Sequence, residues 1–151
     1  MILIAHRGNT EGINSDRENH PDYIKAARDK DYQVEIDVWH ENDKWYLGHD
    51  EPQYEVKREY FYDPFYWCHA KNVGALRNLS SLGIHCFWHQ TDDVALTTLG
   101  YIWTYPGKAL TLKSICVLPE TVSYTSQEIE GAAGICSDFI DNYRYTKWPR
   151  S

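Results

Sequence analysis

Apolar positions along the chain fall into short runs of strand length, separated by segments that are helix-sized or rich in turn residues. Residues 2–6 (ILIAH) form the first run. In HPDYIKAARDK, Tyr23, Ile24, Ala26 and Ala27 give an apolar side at helical spacing, and Pro21 suits a first helical position. Residues 33–39 predict a second strand and KWYLGHD a third, with Asn42-Asp43 supplying the turn between them. So short a connection ordinarily makes a hairpin. The stretch EPQYEVKREYFYDP shows no period. After it, FYWCHAKN predicts a fourth strand, VGALRNLSSLG a helix ended by Gly83, and IHCFWHQTDD a fifth strand. DVALTTLG predicts a short helix, with Thr91 or Asp92 as its cap. YIWTYPG, SICVLPE and AGICSDFID predict strands six to eight, with one or two helical turns in SQEIEGA before the last.

Eight strands, several separated by helix-sized segments, point to a parallel α/β arrangement. An eight-stranded α/β barrel ordinarily takes about 250 residues, and this chain has 151. The expected fold is a miniaturised TIM (β/α)8-type barrel with several outer helices shortened or missing, in one domain over residues 1–151. In such a barrel the short turn after strand two is either an unusual crossover or a local departure from the parallel pattern. Missing helices would bare apolar strand faces, and dimerisation would cover them, so a homodimer is expected.

Composition narrows the classes. With 42% hydrophobic and 25% charged residues, the chain has the balance of a folded domain rather than a disordered one. Six Trp and twelve Tyr supply large rings with which few residues can fill a core. A formal net charge of −7 disfavours nucleic acid as a partner, while leaving room for one phosphate in a locally positive or metal-lined site. The opening MILIAHRG is too short for a leader, and no run approaches about 18 apolar residues. A soluble, cytoplasmic protein without a membrane span is expected. Cys68, Cys86, Cys116 and Cys136 lie singly in apolar runs, which predicts buried thiols rather than a disulfide or a zinc site.

The segment VEIDV raises a chemical question. In a strand, Glu35 and Asp37 project to one face while Val34, Ile36 and Val38 project to the other. Two adjacent carboxylates repel, and burying them is costly unless a cation lies between them. Mg²⁺, Ca²⁺ and Mn²⁺ suit paired oxygen ligands. By itself the pattern fits a solvated acidic face better. However, His6, Arg7 and Gly8 follow the first strand, His49 and Asp50 the third, and His69 and Lys71 end the fourth. Polar residues thus gather at successive strand ends, which is the rim where an α/β barrel builds its active site.

In order, IAHRG, REN, VEIDV and LGHD resemble the glycerophosphodiester phosphodiesterase family of the phospholipase C-like phosphodiesterases, whose pattern is H-R-G, P-E-N-T, E-x-D and H-D. GICSDFID resembles the family's last strand. The resemblance is dense over residues 1–50 and sparse afterwards. It implies a barrel fold and a metal-dependent phosphodiesterase, with His6 and His49 as the catalytic histidines and Arg7 at the phosphate. Glu35 and Asp37 match metal ligands, and Glu18 and Asn19 match the middle of P-E-N-T. Lys71 matches a lysine of the fourth strand. His69 stands where the family has a carboxylate ligand, Arg17 where it has Pro, and His20 where it has Thr. Many members carry a long insertion after H-D, for which this chain has no room. In this it is more like the insertion-free spider-venom phospholipase D group.

The expected cofactor is a divalent ion, Mg²⁺ foremost, with Ca²⁺ or Mn²⁺ as alternatives. An imidazole at 69 would favour Mn²⁺ or a later transition metal over Ca²⁺, and Glu18 or water would otherwise complete the shell. The expected reaction is hydrolysis of a small glycerophosphodiester, with His6 and His49 as general acid and base and Arg7 and Lys71 stabilising charge. One alternative is a phospholipase D-like enzyme that forms a cyclic phosphate. Others are a non-catalytic barrel that binds a phosphorylated ligand, and an interaction protein whose motif is coincidental. Trp88, His89 and Gln90, with Trp103 and Tyr105, end strands five and six, and either wall the substrate pocket or pack the interior. Lys108 fits a solvated lysine better than a phosphate contact.

Overall fold

In the computed structural model, which describes residues 1–146, β1 (Ile2–His6), β2 (Gln33–Glu41), β5 (Tyr66–Ala70), β6 (Cys86–Phe87), β8 (Ile102–Thr104), β9 (Ser114–Val117) and β10 (Gly134–Ser137) run parallel. Their spatial order is β6-β5-β2-β1-β10-β9-β8. Laid flat, the six steps from β6 to β8 would span about 29 Å. Yet the rings of Phe87 on β6 and Trp103 on β8 lie 4.5 Å apart. The sheet is therefore curled until its ends meet. No ladder joins β6 to β8 among the described residues. At that seam the backbone N–H of Thr98 donates to the Cys86 carbonyl at 3.0 Å, and the Cys86 N–H donates to Thr98 Oγ1 at 3.0 Å. The result is a mixed α/β fold around a curled, mostly parallel sheet with few helices.

Two segments depart from the sequence-based expectation, and a third resolves a point the sequence left open. The third strand, β3 (Lys44–Leu47), is antiparallel to β2. Asn42 and Asp43 both have positive φ (51° and 59°), the geometry of a two-residue hairpin turn, so the connection is no crossover. The aperiodic stretch holds β4 (Tyr54–Val56), antiparallel to β3, and a 3₁₀ turn at Arg58–Tyr62. DVALTTLG is not a helix capped by Thr91 or Asp92. It contains β7 (Val94–Leu96), antiparallel to β8, with Ala95 buried and its two neighbours exposed. Its apolar residues suggest a buried helix only if Val94 and Leu96 face inward, and on this edge strand they face out.

Two layers of apolar side chains lie on either side of the curled sheet. Val34, Ile36 and Val38 point outward, where they meet Ile24 and Ala27 of α1 (Pro21–Asp29) and Ala75 and Leu79 of α2 (Val73–Ser81). Pro21 opens α1 without an N–H to satisfy, and the His20 side chain caps Asp22 N. Asn72 caps α2 and also clasps both backbone groups of His40 on β2. Gly83, at φ +71°, turns the chain out of α2. The remaining short helix is α3 (Ser126–Glu130), closed by a capping box of Thr125 and Glu128. On the concave side, Ile4, Trp67, Phe87, Trp103, Ile115 and Cys136 form an apolar floor. All four cysteines are free and buried. Among the described residues no helix is long and apolar enough to cross a membrane.

Candidate metal and phosphate site

Along each parallel strand the side chains that face the concave side recur with period two. The same rows that begin as the apolar floor end in polar groups at the C-terminal rim. Ile4 leads to His6, Trp67 to His69 and then Lys71, Phe87 to His89, and Cys136 to Asp138. Strand register sets the neighbours, since His6 pairs with Glu35 across β1–β2 and Asp37 with His69 across β2–β5. The expected gathering of His6, Arg7, Glu35, His49, His69 and Lys71 therefore lies along one cleft of about 340 Å³, with Trp103 and Tyr105 on its other wall.

Glu35 and Asp37 are fully buried, and each divides its two oxygens. Asp37 Oδ2 accepts from Asn19 Nδ2 at 2.8 Å and pairs with Arg7 Nε at 3.2 Å, while the Asp37 N–H donates to Asn19 Oδ1 at 2.9 Å. Glu35 Oε2 accepts from the Arg7 backbone N–H at 3.3 Å and faces His6 Nε2 at 3.8 Å. The other oxygens, Glu35 Oε1 and Asp37 Oδ1, face His69 Nδ1 at 3.5 and 3.3 Å. Asp37 Oδ1 has no hydrogen-bond donor among the described residues, although Lys71 Nζ stands 3.9 Å away. Burial disfavours charge on both carboxyls, but the balance differs. The neighbouring His69, His6 and Arg7 favour the ionised form of Glu35 and hold it below the usual carboxylate range. Burial and the adjacent Glu35 charge push Asp37 above it.

The orientation of His69 follows from its outer nitrogen. Nε2 lies 2.8 Å from the His89 carbonyl, which can only accept, so Nε2 carries hydrogen. A neutral ring then presents a lone pair at Nδ1 toward two carboxylate oxygens. Three lone-pair atoms gathered this closely in a buried site call for a proton or a cation between them. One donor atom from each of Glu35, Asp37 and His69 falls within 4.8 Å of the others, so these three side chains could hold a metal ion. The unpartnered buried oxygen of Asp37 is the observation that fits such an ion best.

The flanking groups are fixed by short contacts. His6 Nδ1 bonds Asp138 Oδ1 at 2.7 Å, and Asn9 Nδ2 bridges that oxygen and Glu18 Oε1 at 2.8 and 2.9 Å. Burial works against the imidazolium of His6, but the Asp138 bond and the Glu35 charge outweigh it and raise its pKa. Arg7 adopts positive φ (54°), a conformation costly to a side-chain-bearing residue, and its Nη1 pairs with Glu18 at 3.2 Å. His49 lines the same cleft, follows Gly48 and bonds Asp50 through Nδ1 at 2.7 Å. A Cβ on Gly48 would sit 2.1 Å from the Glu51 carbonyl, and its φ of +151° is one that only glycine adopts readily. Glycine at 48 is therefore needed to present His49.

Two expected members stand elsewhere. Glu18 is engaged by Arg7 and Asn9 and is not in the metal-capable group, so it orients the arginine instead of completing a shell. Trp88 packs against the outer core, because strand parity that turns Phe87 and His89 inward turns Trp88 out. His89 and Gln90 line the cleft. Lys108 pairs with Asp93 at 3.0 Å. Sequence reasoning did not single out Asp138 or Asn9. Asp138 follows β10 as His6 ends β1, and these strands are neighbours. The rule that gathered the other strand-end residues would have found it. The chain matches no known protein-family profile, no curated protein and no solved structure.

Proposed function

We propose that the protein is a metal-dependent phosphodiesterase that hydrolyses a small glycerophosphodiester on a miniaturised (β/α)8-type barrel. The observation that supports this best is the convergence of three free donor atoms, on Glu35, Asp37 and His69, in a cleft flanked by His6 and His49. Glu35, Asp37 and His69 would hold a divalent ion, and such an ion would supply Lewis acidity toward a phosphoryl group. Arg7 and Lys71 stand beside the same carboxylates and bring positive charge to the phosphoryl oxygens. His6 is oriented by Asp138 and His49 by Asp50, and the two imidazoles carry the protons. One takes the proton of the attacking water, and the other returns a proton to the departing alkoxide. A cleft of about 340 Å³ is near the small end for ligand sites and suits a compact diester.

The test is turnover of a panel of glycerophosphodiesters, with the thermal midpoint followed in parallel. His6→Ala and His49→Ala should each lower turnover by about 10²-fold or more and leave the ion-induced rise in midpoint intact. Asp37→Asn should remove both. Undiminished turnover in either histidine variant, or loss of the ion response in one of them, would overturn the assigned roles.

A further inference from the structure

We infer that the site selects a first-row transition ion of the Mn²⁺ to Zn²⁺ group over Mg²⁺ and Ca²⁺. The inference rests on the ion site of the proposed phosphodiesterase and departs from the Mg²⁺ that the sequence resemblance implies. Its basis is the donor set. Mg²⁺ and Ca²⁺ take oxygen ligands almost exclusively, and Ca²⁺ asks for six to eight of them. Here the protein offers two carboxylate oxygens and one imidazole nitrogen. The remaining carboxylate oxygens are not free to add to the shell, since Asn19 and Arg7 hold Asp37 Oδ2 and the Arg7 N–H holds Glu35 Oε2.

His69 also has the supports of a metal ligand. Its Nε2–H is anchored to the His89 carbonyl at 2.8 Å, the backbone partner that fixes ring and tautomer in histidine metal sites. Its ring is stacked on Phe87, with centroids 5.0 Å apart and planes 18° from parallel, which supports the orientation that faces the carboxylates. Imidazole nitrogen strengthens binding along the series from Mn²⁺ toward Cu²⁺ and adds little for Mg²⁺ or Ca²⁺.

The neutral ligand has a second consequence. Two carboxylates cancel the charge of a divalent ion, whereas a third would leave the site net negative and opposed to a monoanionic diester. An imidazole in that place keeps the site neutral, with Arg7 and Lys71 adding positive charge beside it.

The rival occupant of the space between these atoms is a proton on Nδ1, which would make His69 an imidazolium paired with both carboxylates. Calorimetric titration of the full chain, stripped with EDTA, with MnCl₂, CoCl₂, ZnCl₂, MgCl₂ and CaCl₂ separates the cases. The expected result is binding of the transition ions at least about tenfold tighter than Mg²⁺ or Ca²⁺. His69→Asp should shrink that ratio by weakening the transition ions and strengthening Mg²⁺. Pulsed EPR of the Mn²⁺-loaded wild-type chain needs no variant and should show nitrogen coupling from a directly bound imidazole. Mg²⁺ binding as tightly as Mn²⁺, or Mn²⁺ bound without nitrogen coupling, would overturn the inference and leave the phosphodiesterase proposal standing. Failure of every ion to bind would sink both.

Discussion

β1, β2, β5 and β6 are backed by α1, α2 and a 3₁₀ turn on the convex face, whereas β8, β9 and β10 are joined largely by loops, short 3₁₀ turns and the five-residue α3. The first set carries Glu35, Asp37 and His69, together with the clamps on each of them. The second set contributes the seam at Thr98, the aromatic wall of Trp103 and Tyr105, and a single fixed partner, Asp138. Positioning two buried carboxylates to within a hydrogen bond demands rigid support, and that is where the chain places its helices. A wall that only excludes water tolerates a thinner scaffold. A 151-residue chain can thus curl a sheet with few helices by concentrating packing where charges are buried.

The sharpest way to break this comparison is to remove packing from the supported side. Leu79 of α2 is fully buried. Leu79→Ala should cost about 2–5 kcal/mol of stability in urea unfolding, through lost burial and the cavity left behind. A cost under about 1 kcal/mol would mean that α2 is not what holds β2 and β5 in place.

A second prediction sharpens the comparison through pH at the seam where the two sides meet. His85 precedes β6, bonds Thr97 Oγ1 through Nε2 at 2.9 Å and lies 4.3 Å from the Trp67 ring. Burial depresses its pKa to about 4. An unfolded histidine takes up a proton near its ordinary value of about 6.5, whereas the folded one refuses it until about pH 4. Within that window the unfolded state binds more protons, so stability falls as pH falls and is recovered as pH rises. Thermal midpoints from pH 7 to 4 should decline less steeply in His85→Gln than in the wild type. Parallel slopes would mean that His85 is not shielded at the seam.

How much of this was legible in the sequence depends on which residues gave a one-sided pattern. VEIDV shows alternation between apolar and acidic positions, so both the strand and its two-carboxylate face could be read directly. All eight segments predicted as strands contain one. Strand direction was less legible. Asn42-Asp43 pointed to a hairpin, but the parallel pattern of the other strands argued against it, and backbone dihedrals settled the matter. IHCFWHQ is apolar at both parities, so nothing in it said that Phe87 and His89 face inward while Trp88 faces out. The two-point clamp of Asn19 on Asp37, and the diversion of Glu18 to Arg7, depend on loops whose shape no period encodes.

The smallest expected effect concerns the bare outer surface of the thinner side. Val94 and Leu96 on edge strand β7 are exposed, as are Leu99 and Leu112 in neighbouring loops, and Leu112 is 84% accessible. A side chain so open to water gains almost nothing from folding, so Leu112→Ser should change stability by less than about 0.5 kcal/mol. Leu96→Ser, at 72% accessible, should behave alike. The contrast with Leu79→Ala is then at least fourfold for the same residue type, and it measures how unevenly the chain distributes its packing. A loss of more than about 1 kcal/mol for either serine variant, with a midpoint that rises with protein concentration, would show that another copy of the chain covers this surface in solution. The thin side would then be supported from outside, as the expected homodimer requires.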